Sequence, residues 1–107
     1  LNPPKVIDLL WGVAATVCQL CYGENSSMHF QINFTLHLSG MIERILLQQT
    51  LSATREEEEQ AVAHPRSLQL TECLAELETT FNLSVPLSEK YYLFVMLDTQ
   101  NNTQVIH

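Results

Sequence analysis

The sequence predicts an all-α fold, an antiparallel bundle of four or five helices. Apolar residues recur at intervals of three and four along most of the chain, and this spacing is typical of one face of a helix rather than of a strand. Glycine and proline are sparse, with 3 and 4 copies in 107 residues. Helices with one apolar face cover those faces most simply by packing side by side. The length and the 46% hydrophobic content suit one domain with its own core.

The first two helices have recognisable starts and ends. The prolines at residues 3–4 can open a helix, and Gly23 supplies its stop. Between them, apolar residues keep helical spacing at Val6, Ile7, Leu10, Trp11, Ala14, Val17, Cys18 and Cys21. Residues 24–27 form the predicted connector, whose asparagine and serines can cap a second helix that runs to about Gln49.

The middle of the chain changes in composition before a third helix begins. Residues 50–66 are polar and acidic and include Pro65, so they are predicted to hold the longest connection, with a helical turn through Glu56–Glu59. Ser67 is the predicted N-cap of the next helix. Its apolar face is expected at Leu70, Leu74, Leu77 and Phe81.

A fourth amphipathic helix is predicted from Leu87 to Thr99, because Pro86 marks a helix start and polar residues follow Thr99. It is expected to bury combinations of Leu87, Tyr91, Phe94, Val95 and Met96. Across the whole bundle, substantial burial is predicted for Phe34, Met41, Leu74, Leu77 and Phe81.

Charge and hydropathy narrow the possible functions. A net charge of -7, from 12 acidic and 5 basic residues, opposes a surface that tracks phosphates, so direct nucleic-acid binding is not expected. No apolar run approaches the roughly 20 residues that span a bilayer, and the first residues lack the basic start of a signal peptide. The sequence therefore predicts a soluble, cytoplasmic protein without a membrane partner.

The three cysteines leave two interpretations open. Cys18 and Cys21 share one face of the first helix, whereas Cys73 is isolated in sequence. A zinc site would need further ligands, such as His29 or His64. Packing is the expected role, because free thiols suit a reducing cytoplasm. No metal and no cofactor is predicted, and a metal-binding helical protein remains a distant alternative.

One histidine stands within an apolar stripe of the second helix. At about 100° per residue, a helix places Phe30, Phe34, His37, Met41 and Arg44 on one face. Such a histidine can be a packed imidazole satisfied by a hydrogen bond. It can also be chemically active, because a neutral imidazole has a nucleophilic nitrogen near neutral pH.

Two segments resemble the two motifs of a known family. Residues 34–44 resemble Leu-Thr-Asp-His-Ile-Asn-Phe-Ala-Ile-Glu-Arg, with matches at Thr35, His37, Ile42, Glu43 and Arg44. Residues 86–96 resemble Pro-x-Asp-Glu-x-x-Tyr-Ile-x-Leu-His, with matches at Pro86, Glu89 and Tyr92. In this order and separation, the motifs make residues 5–99 similar to the PTS regulation domain. That family is a bacterial signalling module phosphorylated on histidine and folded as a helical bundle.

The resemblance implies the site residues. His37 falls on the first family histidine and is the expected phosphoacceptor, whereas Met96 replaces the second, so one principal phosphosite is expected. Arg44 follows His37 by two turns on the same helix face, where it can donate a charge-assisted hydrogen bond to a phosphate or form a structural pair with Glu43 or Glu89. Leucine at position 36 in place of aspartate makes the chain more similar to the levanase-operon activators than to the sugar-operon antiterminators. The reserve phosphoacceptor is His64.

The resemblance also implies a regulatory function rather than an enzymatic one. A PTS phosphocarrier or a sugar-specific PTS component would phosphorylate the domain, shift the packing of a homodimer and so control transcription of sugar-uptake genes. Residues 1–107 would be a single such domain, a fragment of a larger regulator. The alternative is a structural dimerisation bundle without active phosphoacceptor function.

Overall fold

The computed structural model describes the backbone of residues 3–23 and 26–106, and side chains as far as residue 99. This part of the chain contains five α-helices and no strand: α1 (Pro3–Tyr22), α2 (Met28–Leu46), α3 (Arg55–Ala63), α4 (Ser67–Phe81) and α5 (Leu87–Ile106). The prediction of an all-α fold with four or five helices is confirmed. The predicted capping residue Asn25 lies outside the described residues.

The ends of the first two helices follow local backbone chemistry. Gly23 follows α1 with a φ of 59°, a left-handed conformation that glycine adopts without steric cost. The Ser27 hydroxyl accepts the Phe30 N–H at 3.0 Å and caps α2, as predicted. Helix α2 ends at Leu46, before the predicted end at Gln49. Gln48 adopts a φ of 58°, a left-handed conformation that is incompatible with a right-handed α-helix.

The acidic region contains a helix of 9 residues, α3, rather than one helical turn within a long connection. A capping box begins it: the Thr54 hydroxyl accepts the Glu57 N–H at 3.1 Å, and the Glu57 carboxylate accepts the Thr54 N–H at 2.8 Å. Negative side chains in the first turn also suit the positive end of the helix dipole. The prediction was wrong because these stabilising features are polar and produce no apolar stripe.

Two further boundaries differ from the predicted ones. Arg66 occupies the N-cap position of α4, but its side chain makes no capping hydrogen bond, so Ser67 is the first helical residue and not the cap. Asn82 ends α4 in the left-handed region, with a φ of 52°. Helix α5 continues to Ile106, past the predicted end at Thr99, because the polar residues that follow contain no proline or glycine to stop it.

The core lies where α1 packs against α2 and α4, and where α5 packs against α2 and α3. Burial of Phe34, Met41, Leu74 and Leu77 is confirmed, and Phe81 packs half-buried against the core. On α5 the inner residues are Leu93, Phe94 and Leu97, whereas Leu87 and Val95 are exposed. The predicted burial of Leu87 and Val95 was wrong, whereas that of Phe94 is confirmed. Apolar residues occur around most of the circumference of α5, so its sequence does not select one face.

Helix α1 corrects one sequence-based expectation. Its 20 residues are long and apolar enough to cross a membrane, by length and composition alone, although no such run was predicted. A core helix of a soluble protein and a signal sequence meet the same criterion. In the bundle, α1 contributes core side chains: Leu10, Val13, Ala14, Val17 and Cys18.

Candidate functional site

The half-buried His37 lies on the inner stripe of α2. Among the described side chains, its Nε2 atom is the buried nitrogen or oxygen without a hydrogen-bond partner. Burial lowers the pKa of His37 from its usual 6.5, and the nearby charge of Arg44 lowers it further, against an opposing effect of Glu89. The imidazole is therefore held in its neutral, nucleophilic form at neutral pH.

An ion pair beside His37 joins α2 to α5. Arg44 donates from Nε to Glu89 Oε2 at 3.0 Å and from Nη2 to Glu89 Oε1 at 2.8 Å. The Glu89 side chain is fully buried, and it also accepts the Leu51 N–H at 2.9 Å. Burial alone would raise the pKa of Glu89, but the hydrogen bonds from Arg44 and Leu51 outweigh it and hold that pKa below its usual value.

The structure brings together three of the four predicted site residues. Arg44 and Glu89 are paired, and both charges act on His37. Glu43 is exposed, because adjacent residues on a helix point in different directions and Arg44 turns toward α5. Of the two carboxylates predicted to pair with Arg44, the structure therefore selects Glu89.

Two of the positions that depart from the family motifs, Leu36 and Met96, carry apolar side chains where the motifs have aspartate and histidine. Leucine at position 36 has no carboxylate to offer the His37 ring, and its side chain is 66% exposed. Met96 packs half-buried against the core. Its thioether has no nucleophilic nitrogen, so it cannot form the phosphoramidate that a histidine would form.

His64, the reserve phosphoacceptor, has partners on both ring nitrogens. Its Nδ1 accepts the Arg66 N–H at 3.1 Å, and its Nε2 lies 3.1 Å from Asp98 Oδ1. An accepting Nδ1 leaves the proton on Nε2, which then donates to the carboxylate. The ring also stacks on Phe94, with centroids 3.9 Å apart. This arrangement suits a structural histidine, and the sequence does not reveal it because Asp98 is distant in the chain.

The remaining histidines and the cysteines form no metal centre in the part of the chain that is described. His29 is exposed, and His107 lies outside the described residues. Cys18, Cys21 and Cys73 are free thiols, and burial raises the pKa of Cys18 to about 11. Within the described residues, no group of three or more His, Cys, Asp or Glu side chains is placed to hold a metal ion.

Comparison with known proteins identifies the family of this chain. The family model of the PRD domain matches residues 16–99, which is most of the chain and includes both motifs. Neither the curated proteins nor the solved structures contain a match. Because the matched region covers well over half of the sequence and includes the His37 and Glu89 segments, the chain belongs to the PRD family of PTS regulation domains, a regulatory and not a catalytic family.

Proposed function

We propose that this domain receives a phosphoryl group on His37 from the sugar phosphotransferase system and relays that signal within a bacterial transcription regulator. One observation carries the proposal: the buried Nε2 of His37 has no hydrogen-bond partner and lies in the field of the Arg44–Glu89 pair. An unsatisfied buried polar atom is costly in a protein interior and is often explained by function. Membership of the PRD family supports the same function.

The proposed chemistry is a transfer between nucleophiles. The lone pair of the unprotonated ring nitrogen of His37 forms a new N–P bond while the donor's N–P or S–P bond breaks, and that bonding electron pair returns to the donor. The donor is a phosphohistidine of the PTS phosphocarrier or a phosphocysteine of a sugar-specific component. A lowered imidazole pKa favours this step, because only the neutral ring carries the required lone pair.

Arg44 is the residue best placed to bind the transferred group. A guanidinium forms strong, charge-assisted hydrogen bonds with phosphoryl oxygens. By analogy with other phosphorylated side chains, the adduct would add nearly two negative charges at neutral pH. Those charges would compete with Glu89 for Arg44 and repel its buried carboxylate.

This competition gives phosphorylation a route to the packing of the bundle. Glu89 lies on α5, while its two donors, Arg44 and the Leu51 backbone, belong to α2 and to the connection that follows it. Weakening the pair would therefore loosen α5 from both. We infer that the changed packing alters a homodimer and, through it, an attached effector that controls transcription of sugar-uptake genes.

Exposed apolar residues on α2 support the homodimer. Met28, Ile32 and Leu36 follow one another at intervals of four residues, so they share one side of the helix, and they are 64%, 44% and 66% exposed. The leucine at position 36, where the family motif has aspartate, supports a closer similarity to the levanase-operon activators than to the sugar-operon antiterminators. The proposed location is the cytoplasm, where the phosphotransferase donors act.

The exposed apolar residues Met28, Ile32 and Leu36 also favour the alternative function, a structural dimerisation bundle without phosphoacceptor activity. Phosphotransfer distinguishes the two. Labelled phosphate from purified donor proteins should appear on His37 by mass spectrometry. His37→Ala should lose at least nine-tenths of the label, whereas His29→Ala, which alters an exposed histidine, should keep it.

Label retained by His37→Ala or located on His64 would contradict the assignment. No labelling by any donor, together with a stable dimer in sedimentation experiments, would instead establish the structural alternative.

A further inference from the structure

We propose that α3 and the connection before it form a clasp that Glu89 holds closed against α5, and that the clasp opens when Glu89 releases the Leu51 N–H. The clasp comprises residues 47–64, from the end of α2 to the C-cap of α3. Its opening by a phosphoryl group rests on the proposed phosphorylation of His37.

Helix α3 has little apolar surface to hold it in the bundle. Its 9 residues are all described, and Ala61 alone among them is buried. The helix packs mainly against α5, with a smaller contact to α4. Because one alanine buries little apolar area, hydrophobic contact stabilises this position only weakly. Hydrogen bonds to α5 therefore contribute a large share of the attachment.

Helix α5 is held more firmly, because it belongs to the core. Leu93, Phe94 and Leu97 are buried. Phe94 and Leu97 also line a small cavity together with Val17 of α1 and Leu70 of α4. Weaker bonds between α3 and α5 would therefore release α3, whereas α5 would keep its place in the core.

Two of the hydrogen bonds between the clasp and α5 are exposed. At the end of α3, His64 bonds to Asp98 at 3.1 Å. In the connection before α3, Tyr92 donates its hydroxyl to the Ser52 carbonyl at 2.7 Å. Water can take the place of either partner, so these two bonds contribute little to keeping the clasp closed.

The bond between Glu89 and Leu51 is different, because its acceptor is shielded from water. The Glu89 side chain is 0% exposed, and its Oε2 accepts the Leu51 N–H at 2.9 Å. A hydrogen bond to a charged acceptor is about twice as strong as a neutral one. The chain reaches Leu51 through Gln48, whose φ of 58° is strained for a residue other than glycine. Such strain persists only where surrounding contacts hold it, so release of Leu51 would let the connection relax.

The same Glu89 carboxylate belongs to the candidate phosphorylation site. Arg44 donates two hydrogen bonds to it, and the charges of Arg44 and Glu89 both act on His37. A phosphoryl group on His37 would attract Arg44 and repel Glu89. Movement of the Glu89 carboxylate would break its bond to Leu51. Phosphorylation of α2 would thereby open a clasp formed by α3.

Hydrogen exchange resolved by NMR tests whether Glu89 holds the clasp. The N–H groups of Ala61 and Val62 bond within α3, so their exchange reports opening of the clasp. The N–H groups of the core residues Val17 and Leu74 report unfolding of the whole domain.

The variant is Glu89→Gln, and Glu78→Gln is its matched control. Glu78 Oε2 accepts the Val85 N–H at 2.9 Å, so a glutamate again holds a backbone N–H of a connection, here outside the clasp. Both variants weaken a bond of the same kind. They differ in whether that bond attaches α3.

In the wild type we expect α3 to exchange faster than α1 and α4. Glu89→Gln should raise the exchange rate of α3 about tenfold, because about one hydrogen bond to a charged group is lost. Glu78→Gln should leave that rate unchanged. Equal rates in the three helices of the wild type, or the same α3 rate in both variants, would overturn the role of Glu89.

A second experiment tests the link to the phosphoryl group. Wild type and His37→Ala are treated with phosphoramidate, a small donor that gives its phosphoryl group to imidazole and releases ammonia. Mass spectrometry locates the label. Phosphorylation of His37 should raise α3 exchange about tenfold, as Glu89→Gln does, whereas the treatment should leave His37→Ala unchanged.

The possible outcomes separate this inference from the proposed function. Phosphorylated His37 with unchanged α3 exchange would overturn the clasp as part of the switch, while the phosphorylation itself stands. Labelling by phosphoramidate but not by the donor proteins would reject the proposed function, and the exchange rates would still decide the clasp. No label on His37 from either source would reject both the proposed function and opening by phosphate.

Discussion

Glu89→Gln removes the charge from the ion pair beside His37 while it preserves the shape of the side chain. In the native protein the Glu89 carboxylate accepts two hydrogen bonds from Arg44, at 3.0 and 2.8 Å, and one from the Leu51 N–H at 2.9 Å. A glutamine has one oxygen acceptor, and its NH2 group would face an N–H donor of Arg44 or of the Leu51 backbone. At least one charge-assisted hydrogen bond is therefore lost.

The expected cost follows from burial. A hydrogen bond to a charged group contributes about 1.5–3 kcal/mol. The Arg44 side chain is 27% exposed, so water recovers part of that loss. We expect the free energy of unfolding to fall by about 2 kcal/mol, which lowers the melting temperature of a domain of this size by about 10 °C.

The pH dependence provides a second check on the same pair. Because the pKa of Glu89 is lowered on folding, its carboxylate stabilises the native state above its unfolded pKa of about 4.3. This contribution is lost as the pH falls through the lower, folded pKa. The stability difference between wild type and Glu89→Gln should therefore be complete at pH 7 and shrink below about pH 4.

Urea unfolding followed by circular dichroism measures both effects, with Glu59→Gln as the matched control. Glu59 forms an exposed pair with Arg55, at 3.3 Å, and surface pairs of this kind stabilise proteins little. The control should keep the wild-type midpoint. Equal stability of Glu89→Gln and wild type at pH 7, or an equal loss in the control, would refute the reasoning.

Two further predictions concern other parts of the molecule. Burial lowers the pKa of His37, so the pH at which its labelling by a small phosphoryl donor falls to half the maximum should lie below 6.5. A midpoint at or above 6.5 in a pH series would contradict this. Thr54→Ala removes the hydroxyl that caps α3 and should destabilise the domain by about 1 kcal/mol in urea unfolding. Thr54→Ser, which keeps the hydroxyl, should retain most of that stability, and equal losses in the two variants would exclude the cap as the cause.

The sequence by itself determined the fold class and most of the helices. The apolar spacing that predicts α1, α2 and α4 depends on local helix geometry, and the core residues Phe34, Leu74 and Leu77 followed from it. Helix α3 did not follow, because its stability comes from a polar capping box and from packing against α5, with Ala61 as its buried residue. Apolar periodicity contains neither signal.

In the candidate site, too, some features were determined by the sequence and others required tertiary packing. The placement of His37 and Arg44 on one stripe is a property of α2 alone, so the sequence determined it. The selection of Glu89 in preference to Glu43 required α5 to pack against α2, since only packing brings distant residues into hydrogen-bond range.

Only the tertiary structure decided which buried imidazole lacks a partner. In the sequence, His37 and His64 are single histidines with no neighbour that reveals their hydrogen bonds. The packing of α3 against α5 places Asp98 beside His64, whereas Nε2 of His37 is enclosed without a donor or acceptor. A hydrogen bond needs a correctly oriented partner within about 3 Å, and such a distance between residues far apart in sequence exists only in the folded chain.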